Sequence, residues 1–161
     1  MIVTIKKVFP MALLLDQFLP YRFNRMAEIL SKNASAAYKS EFGLTRPEWR
    51  AFALLGQYGT MTATEISLYS AMHKTKVSRA LYALEQKHWL VRGQDEGDRR
   101  YERITLSSAG RKAYKKLVPK MLDVEAELIA KLGKTNSDAL EKGLRALEQL
   151  FVEPMQSEKV R

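Results

Sequence analysis

Residues 62 to 90, TATEISLYSAMHKTKVSRALYALEQKHWL, hold two short amphipathic helical patterns with almost no linker between them. The first opens with Thr62 and Glu65, the Thr-x-x-Glu spacing of a capping box, and Ile66 and Leu68 supply its apolar contacts. The second is predicted to begin at His73 or Lys74, with Val77, Leu81, Leu84 and Trp89 or Leu90 recurring every three to four residues as a buried stripe. Its opposite face carries Lys74, Thr75, Lys76, Ser78, Arg79 and Tyr82. These side chains are rich in donors for phosphate oxygens and purine edges, and they sit in the first turns, where a recognition helix meets bases. Helix, tight turn and donor-rich second helix together are the pattern of a helix-turn-helix.

Taken alone, a basic helix face is usually no more than a solvated surface. The next stretch of chain favours binding. Leu90 to Gln94 and Tyr101 to Leu106 read as two strands joined by the polar tip Asp95-Glu96-Gly97-Asp98-Arg99-Arg100. A hairpin there is a wing, which lays a basic tip in the minor groove beside the major-groove helix. The hairpin is expected to return Arg92 toward the tip, where Asp98 pairs with it and leaves Arg100 pointing outward. Arg92, Asp98, Arg99 and Arg100 are the candidate wing residues, and Lys74, Thr75, Lys76, Ser78 and Arg79 the candidate groove residues. Arg79 is the expected base reader, because a guanidinium can bridge O6 and N7 of guanine.

Residues 43 to 117 resemble the winged-helix core of the MarR (multiple antibiotic resistance regulator) family of bacterial transcription regulators. The resemblance rests on Gly43-Leu44-Thr45-x-x-Glu48-Trp49, Lys74-Thr75-x-Val77-Ser78-Arg79-x-Leu81-x-x-Leu84-Glu85, Leu90-x-Arg92, Asp98-Arg99-Arg100, and Ile104-x-Leu106-Ser107-x-x-Gly110. The fold class expected is mainly α with a small β-hairpin wing. An N-terminal arm and dimerisation helix (1–42) would precede the winged helix-turn-helix core (43–107), and C-terminal dimerisation helices (108–161) would come after it. The resemblance also implies a repressor released by a small, often aromatic, effector bound between the dimer helices and the core. It further implies that Arg100 enters the minor groove.

Charge distribution agrees with a polyanion-binding face. Of the formal net charge of +9, residues 73 to 120 carry +8, from thirteen Lys and Arg against five Asp and Glu. The footprint is therefore localised rather than spread along a basic tail. Cysteine is absent, which excludes disulfides, thiolate redox sensing and Cys-ligated zinc. The two histidines, His73 and His88, stand at opposite ends of one helix, too far apart to share an ion. No glycine-rich phosphate loop, metal triad or serine elbow occurs, so no enzyme, catalytic residue, metal or cofactor is expected. Asp95 to Asp98 lack the spaced oxygen ligands of a calcium loop and read as a turn.

At 161 residues the chain is one domain, or a compact core with an oligomerisation region. Near the start, Lys6 and Lys7 precede an apolar run from Val8 to Leu15, but Pro10 and Asp16 interrupt a stretch already too short for a membrane span. A cytoplasmic protein with no membrane partner is the expectation. From Pro20 to about Phe42 the chain reads as one helix, ended by Gly43. A second runs from Arg46 to about Gln57, with Thr45 and Glu48 as its capping box and Gly56 and Gly59 bracketing its end. Two more helices are predicted after the wing, one capped by Ser107 or Ser108 and running toward Leu132, the other from about Ser137 to Phe151 with Leu140, Leu144, Leu147 and Phe151 along one side.

The terminal helices are amphipathic yet lie outside the winged core, so pairing with a second copy is the economical way to bury them. A homodimer would bind double-stranded DNA at a pseudo-palindromic operator with half-sites about 10 bp apart. For the small aromatic effector the candidate residues are Phe18, Tyr21, Arg22, Arg25 and Trp49. There aromatics alternate with arginines suited to an aromatic carboxylate or acyl-thioester. A second reading stays open for each: solvated arginines, dimer-core aromatics and a core tryptophan. An architectural DNA-binding protein without a defined operator is the alternative function, since it needs the same basic patch without the Ser78-Arg79 register.

Overall fold

The computed structural model describes residues 13–94 and 102–151. Among these, the order is α1 (Leu19–Lys39), α2 (Arg46–Tyr58), α3 (Ala63–Ser70), α4 (Lys74–Gln86), β1 (Leu90–Gln94), β2 (Glu102–Leu106), α5 (Ser108–Leu132) and α6 (Lys134–Phe151). The protein is thus mainly helical with one small antiparallel hairpin. No helix of the described residues is long and apolar enough to cross a membrane.

Local signals account for most helix starts. Glu48 accepts the Thr45 N–H at 3.0 Å, and Glu65 accepts the Thr62 N–H at 2.6 Å while Thr62 Oγ1 accepts the Glu65 N–H at 3.1 Å. Each reciprocal cap satisfies amide donors left without a partner in the first turn. Ser107, rather than Ser108, caps α5 by accepting the Gly110 N–H at 3.0 Å.

The ends differ more from expectation. α1 stops at Lys39, not Phe42; at its end the Ser40 N–H and Oγ both donate to the Ala36 carbonyl, at 3.2 and 2.7 Å. The chain then turns through Gly43 at φ 59° and buries Phe42 beneath the core. α2 ends at Tyr58, between Gly56 and Gly59, but Gly56 has a second role inside the helix: a Cβ there would run into the Tyr114 ring of α5. It is Gly59, at φ 80°, that ends the helix. α6 begins at Lys134, earlier than Ser137, since Gly133 at φ 75° reverses the chain within one residue.

α3 and α4 end alike. In each, an N–H three residues on and another five residues on reach the last carbonyls (Ala71 to Leu68 and Met72 to Ser67; His88 to Glu85 and Trp89 to Leu84). This is the Schellman pattern, with Ala71 (φ 50°) and His88 (φ 59°) in the left-handed position where glycine is usual.

One core joins the middle of the chain. Phe52, Leu55, Ile66, Val77, Leu81, Leu84, Ile104 and Leu117 are almost completely buried, so α2, α3, α4, β2 and the first half of α5 share it. Phe52 lies at its centre, 5.0 Å from the Trp89 ring and edge-on to Tyr114 at 5.7 Å. Gly110 lets α5 approach the Trp89 carbonyl so closely that a Cβ there would collide with it. In β1–β2, Leu90 pairs with Leu106 and Arg92 with Ile104, and Met61 adds a short third edge by exchanging hydrogen bonds with Ile104 at 2.9 and 2.8 Å. This edge ties the wing's base to the loop before α3.

Candidate nucleic-acid interface

α4 separates its two kinds of residue cleanly. Val77, Ala80, Leu81 and Leu84 are buried, while Lys74, Thr75, Lys76, Ser78, Arg79 and Tyr82 are all exposed. Thr75, Ser78, Arg79 and Tyr82 have the i, i+3, i+4, i+7 spacing that aligns side chains on one helix face. Lys74 and Lys76 flank them at the helix start. The exposed stripe therefore pairs hydrogen-bonding side chains for base edges with ammonium groups for backbone phosphates.

His73 caps this helix. Its Nδ1 lies 3.3 Å from the Thr75 N–H, which it accepts, and 3.1 Å from Thr75 Oγ1, while its carbonyl receives the first helical bonds from Lys76 and Val77. An imidazole thus does what a serine or aspartate does at most helix starts, through a ring nitrogen in place of an oxygen.

The wing is joined to α4 by a contact that sequence reading missed. Arg92 donates from Nε to Glu85 of α4 at 3.0 Å and from Nη1 to Glu102 of β2 at 2.5 Å. Burial works against its charge, but the hydrogen bonds to Glu102 and Glu85 outweigh burial and raise the pKa above the ordinary arginine value. Arg92 is thereby committed to holding the hairpin against the recognition helix. Glu85 comes directly after Leu84 of the buried stripe and stands seven residues before Arg92, and only the path of the hairpin brings the two together. Asp98, Arg99 and Arg100, with the expected Arg92–Asp98 pair, lie outside the described residues. On the other strand, Arg103 reaches Glu65 of α3 at 3.6 Å.

The effector candidates divide into two places. Phe18, Tyr21, Arg22 and Arg25 lie exposed at the N-terminal end of α1. Arg22 borders an apolar cleft of about 430 Å³ formed with Phe23, Met26, Leu128 and Leu140. Trp49 is instead half-buried and stacks on Tyr38, with ring centroids 5.9 Å apart. Tyr38 is sixteen residues beyond Arg22, about 24 Å along a helix rising 1.5 Å per residue. Trp49 and the arginines of α1 therefore do not meet within the chain.

A helix-turn-helix whose second helix carries an exposed donor face, with a hairpin pinned beside it, defines a winged helix-turn-helix DNA-binding protein. Comparison with known proteins narrows the class. Residues 44–101 match the MarR family model. The HTH-type transcriptional regulator YwoH of Bacillus subtilis (strain 168) is 31% identical over 115 residues, covering 71% of this chain and 82% of that protein. Among solved structures, a MarR/EmrR family transcriptional regulator from Acinetobacter sp. ADP1 superposes with a TM-score of 0.75 at 25% identity, over 85% of this chain and 96% of that one. NadR in complex with 4-hydroxyphenylacetate shares the fold, with a TM-score of 0.70 at 18% identity over 89% of this chain and 97% of that one. The chain belongs to the MarR family of transcription regulators.

Proposed function

We propose that the protein acts as a homodimer that represses transcription by binding a pseudo-palindromic operator and is released by a small aromatic anion. The observation that carries DNA reading is the exposed stripe Thr75, Ser78, Arg79 and Tyr82, flanked by Lys74 and Lys76, on a helix whose other face is buried. Charge alone would serve an architectural protein equally well. A defined row of hydrogen-bonding side chains beside the lysines favours sequence reading, because phosphate contacts position a protein whereas base contacts specify its site. In the wing, Arg100 is the proposed minor-groove residue, with Asp98 restraining the tip and Arg99 secondary.

Dimerisation is supported by apolar side chains that the protomer leaves uncovered: Leu19, Phe23, Met26, Leu140 and Leu144 are all more than a third exposed. A second copy related by a two-fold axis would cover them and place the two α4 helices one helical turn of DNA apart. For the effector, Arg22 beside an apolar cleft suits an aromatic carboxylate, the class of ligand that NadR holds. Tyr21, Phe18 and Arg25 stand along the same end of α1, while Trp49 would join them only across the dimer.

Footprinting on the DNA upstream of the protein's own gene, with and without 4-hydroxyphenylacetate, tests the reading. A protected two-fold site, held ~10³ to 10⁷ times more tightly than bulk DNA, is expected for a specific regulator. Uniform protection with no gain over bulk DNA would favour the architectural alternative. If Arg22 anchors the ligand, Arg22→Ala should leave operator affinity intact without ligand and weaken ligand-induced release.

A further inference from the structure

The three residues between α3 and α4 decide where the recognition helix points, and they are held by polar contacts from outside the turn. Ser70, the last residue of α3, is 3% exposed. Its Oγ accepts the Met72 N–H at 3.3 Å, and Ser67 Oγ donates to the Met72 carbonyl at 2.7 Å. Ala71 between them occupies the left-handed region at φ 50°, where a residue with a Cβ persists only if its surroundings hold it.

The Ser70 carbonyl belongs to the helix end whose acceptors lack intrahelical partners and where the helix dipole is negative. It receives a hydrogen bond from the guanidinium of Arg50, which is partly buried in the first half of α2. Burial lowers the pKa of Arg50, and the positive charge of Arg46 one turn earlier lowers it further, so this cation is kept in an unfavourable place. Arg46 itself is anchored to Glu28 of α1 at 2.5 Å. α2 thus grips α1 through one arginine and the α3–α4 turn through the next.

Resting on the DNA-reading role of α4, we propose that Arg50 is a positioning residue for sequence recognition: by fastening the Ser70 carbonyl to α2 it sets the angle at which α4 presents Thr75, Ser78 and Arg79. The physical basis is a difference in tolerance. Hydrogen bonds to base edges weaken steeply with a displacement of a few tenths of an ångström or a loss of alignment, whereas charge attraction to phosphates falls only slowly with distance. A recognition helix set loose at its N-terminal turn therefore loses discrimination before it loses non-specific affinity.

The test uses the full chain with Arg50→Met, which keeps the apolar stem, and Arg50→Lys, which keeps the charge but not the planar fork. Binding is measured across a salt series to the duplex that the unmodified protein enriches from a random library, and to poly(dI-dC). Arg50→Met should lose about tenfold in affinity for the selected duplex, the equivalent of about 1.4 kcal/mol, with poly(dI-dC) affinity and salt slope unchanged. Arg50→Lys should fall between, and serves alone if Arg50→Met does not fold. Leu117→Ala, which weakens the core away from the turn, should lower the melting temperature and keep the selected-to-bulk ratio. A parallel loss on both DNAs with a shallower salt slope would make Arg50 a phosphate contact and overturn the proposal. So would an unchanged ratio, or an equal loss of ratio in Leu117→Ala. A library from which the unmodified protein enriches nothing would overturn the regulator reading itself, and the role of Arg50 with it.

Discussion

The winged core and the terminal helices are built from the same kinds of residue and end in opposite states. In the core, Phe52, Ile66, Leu84, Ile104 and Leu117 are fully buried within the single chain. In α6 no residue is buried, and along α1 only Tyr38 is. Both regions show helical apolar stripes, so amphipathic pattern alone does not separate them. What separates them is whether the partner surface is supplied by the same chain. The core closes on itself because the turns at Ala71, His88 and Gly59 fold its short helices back on one another. The long helices turn as well, at Gly43 and Gly133, yet much of their apolar stripes stays uncovered by the chain itself.

That contrast is broken most severely at the core. Phe52→Ala should cost about 3–5 kcal/mol, because a ring packed between Trp89 and Tyr114 leaves a cavity that a rigid three-aromatic cluster cannot close. Its signature is a fall in melting temperature that does not depend on protein concentration. Replacing Leu140 and Leu144 together by Asp is the matching experiment on the outer helices. It should leave the winged core folded while abolishing the proposed dimer, seen as a halved mass in sedimentation and as the loss of concentration dependence in melting. A soluble dimer with unchanged operator affinity would remove the basis for contrasting the two regions.

Smaller effects sharpen the comparison within the DNA-binding region. Arg100→Ala should weaken operator binding and flatten its salt dependence by about one phosphate-equivalent per subunit. Arg99→Ala should do less and Asp98→Ala part of the same damage; if Arg99→Ala proved worse, the proposed wing register would be wrong. The smallest change expected is at the cap of α4. His73→Ala removes the acceptor for the Thr75 N–H and should cost about 0.5–1 kcal/mol in denaturant unfolding, while His73→Asp should recover or exceed the original stability.

Features that depend on a few neighbouring residues are legible without the fold. Thr45 with Glu48 and Thr62 with Glu65 announce helix starts because capping is a contact over three residues. The stripe of Val77, Leu81 and Leu84 identifies the inner face of α4, and with it the outer face of Lys74, Thr75, Lys76, Ser78 and Arg79. Helix ends are less legible, since they turn on left-handed residues. Ala71 and His88 take that conformation against their own preference, and nothing local marks them.

The sequence by itself determined the helix-turn-helix with its hairpin, the polarity of the recognition helix and the concentration of positive charge around it. All three come from periodicity, capping and composition, which act over one or two helical turns. Only the tertiary structure decided that Gly56 makes room for Tyr114, that Arg92 is held by Glu85 and Glu102, that Arg50 grips the turn before α4, and that Trp49 stands beside Tyr38, far from Arg22. In each case the partners lie on different elements, and their meeting depends on how helices and hairpin pack around Phe52. A long flexible arginine leaves no periodic trace of which carboxylate or carbonyl it will reach, because that choice is made by the packing of the apolar residues around it.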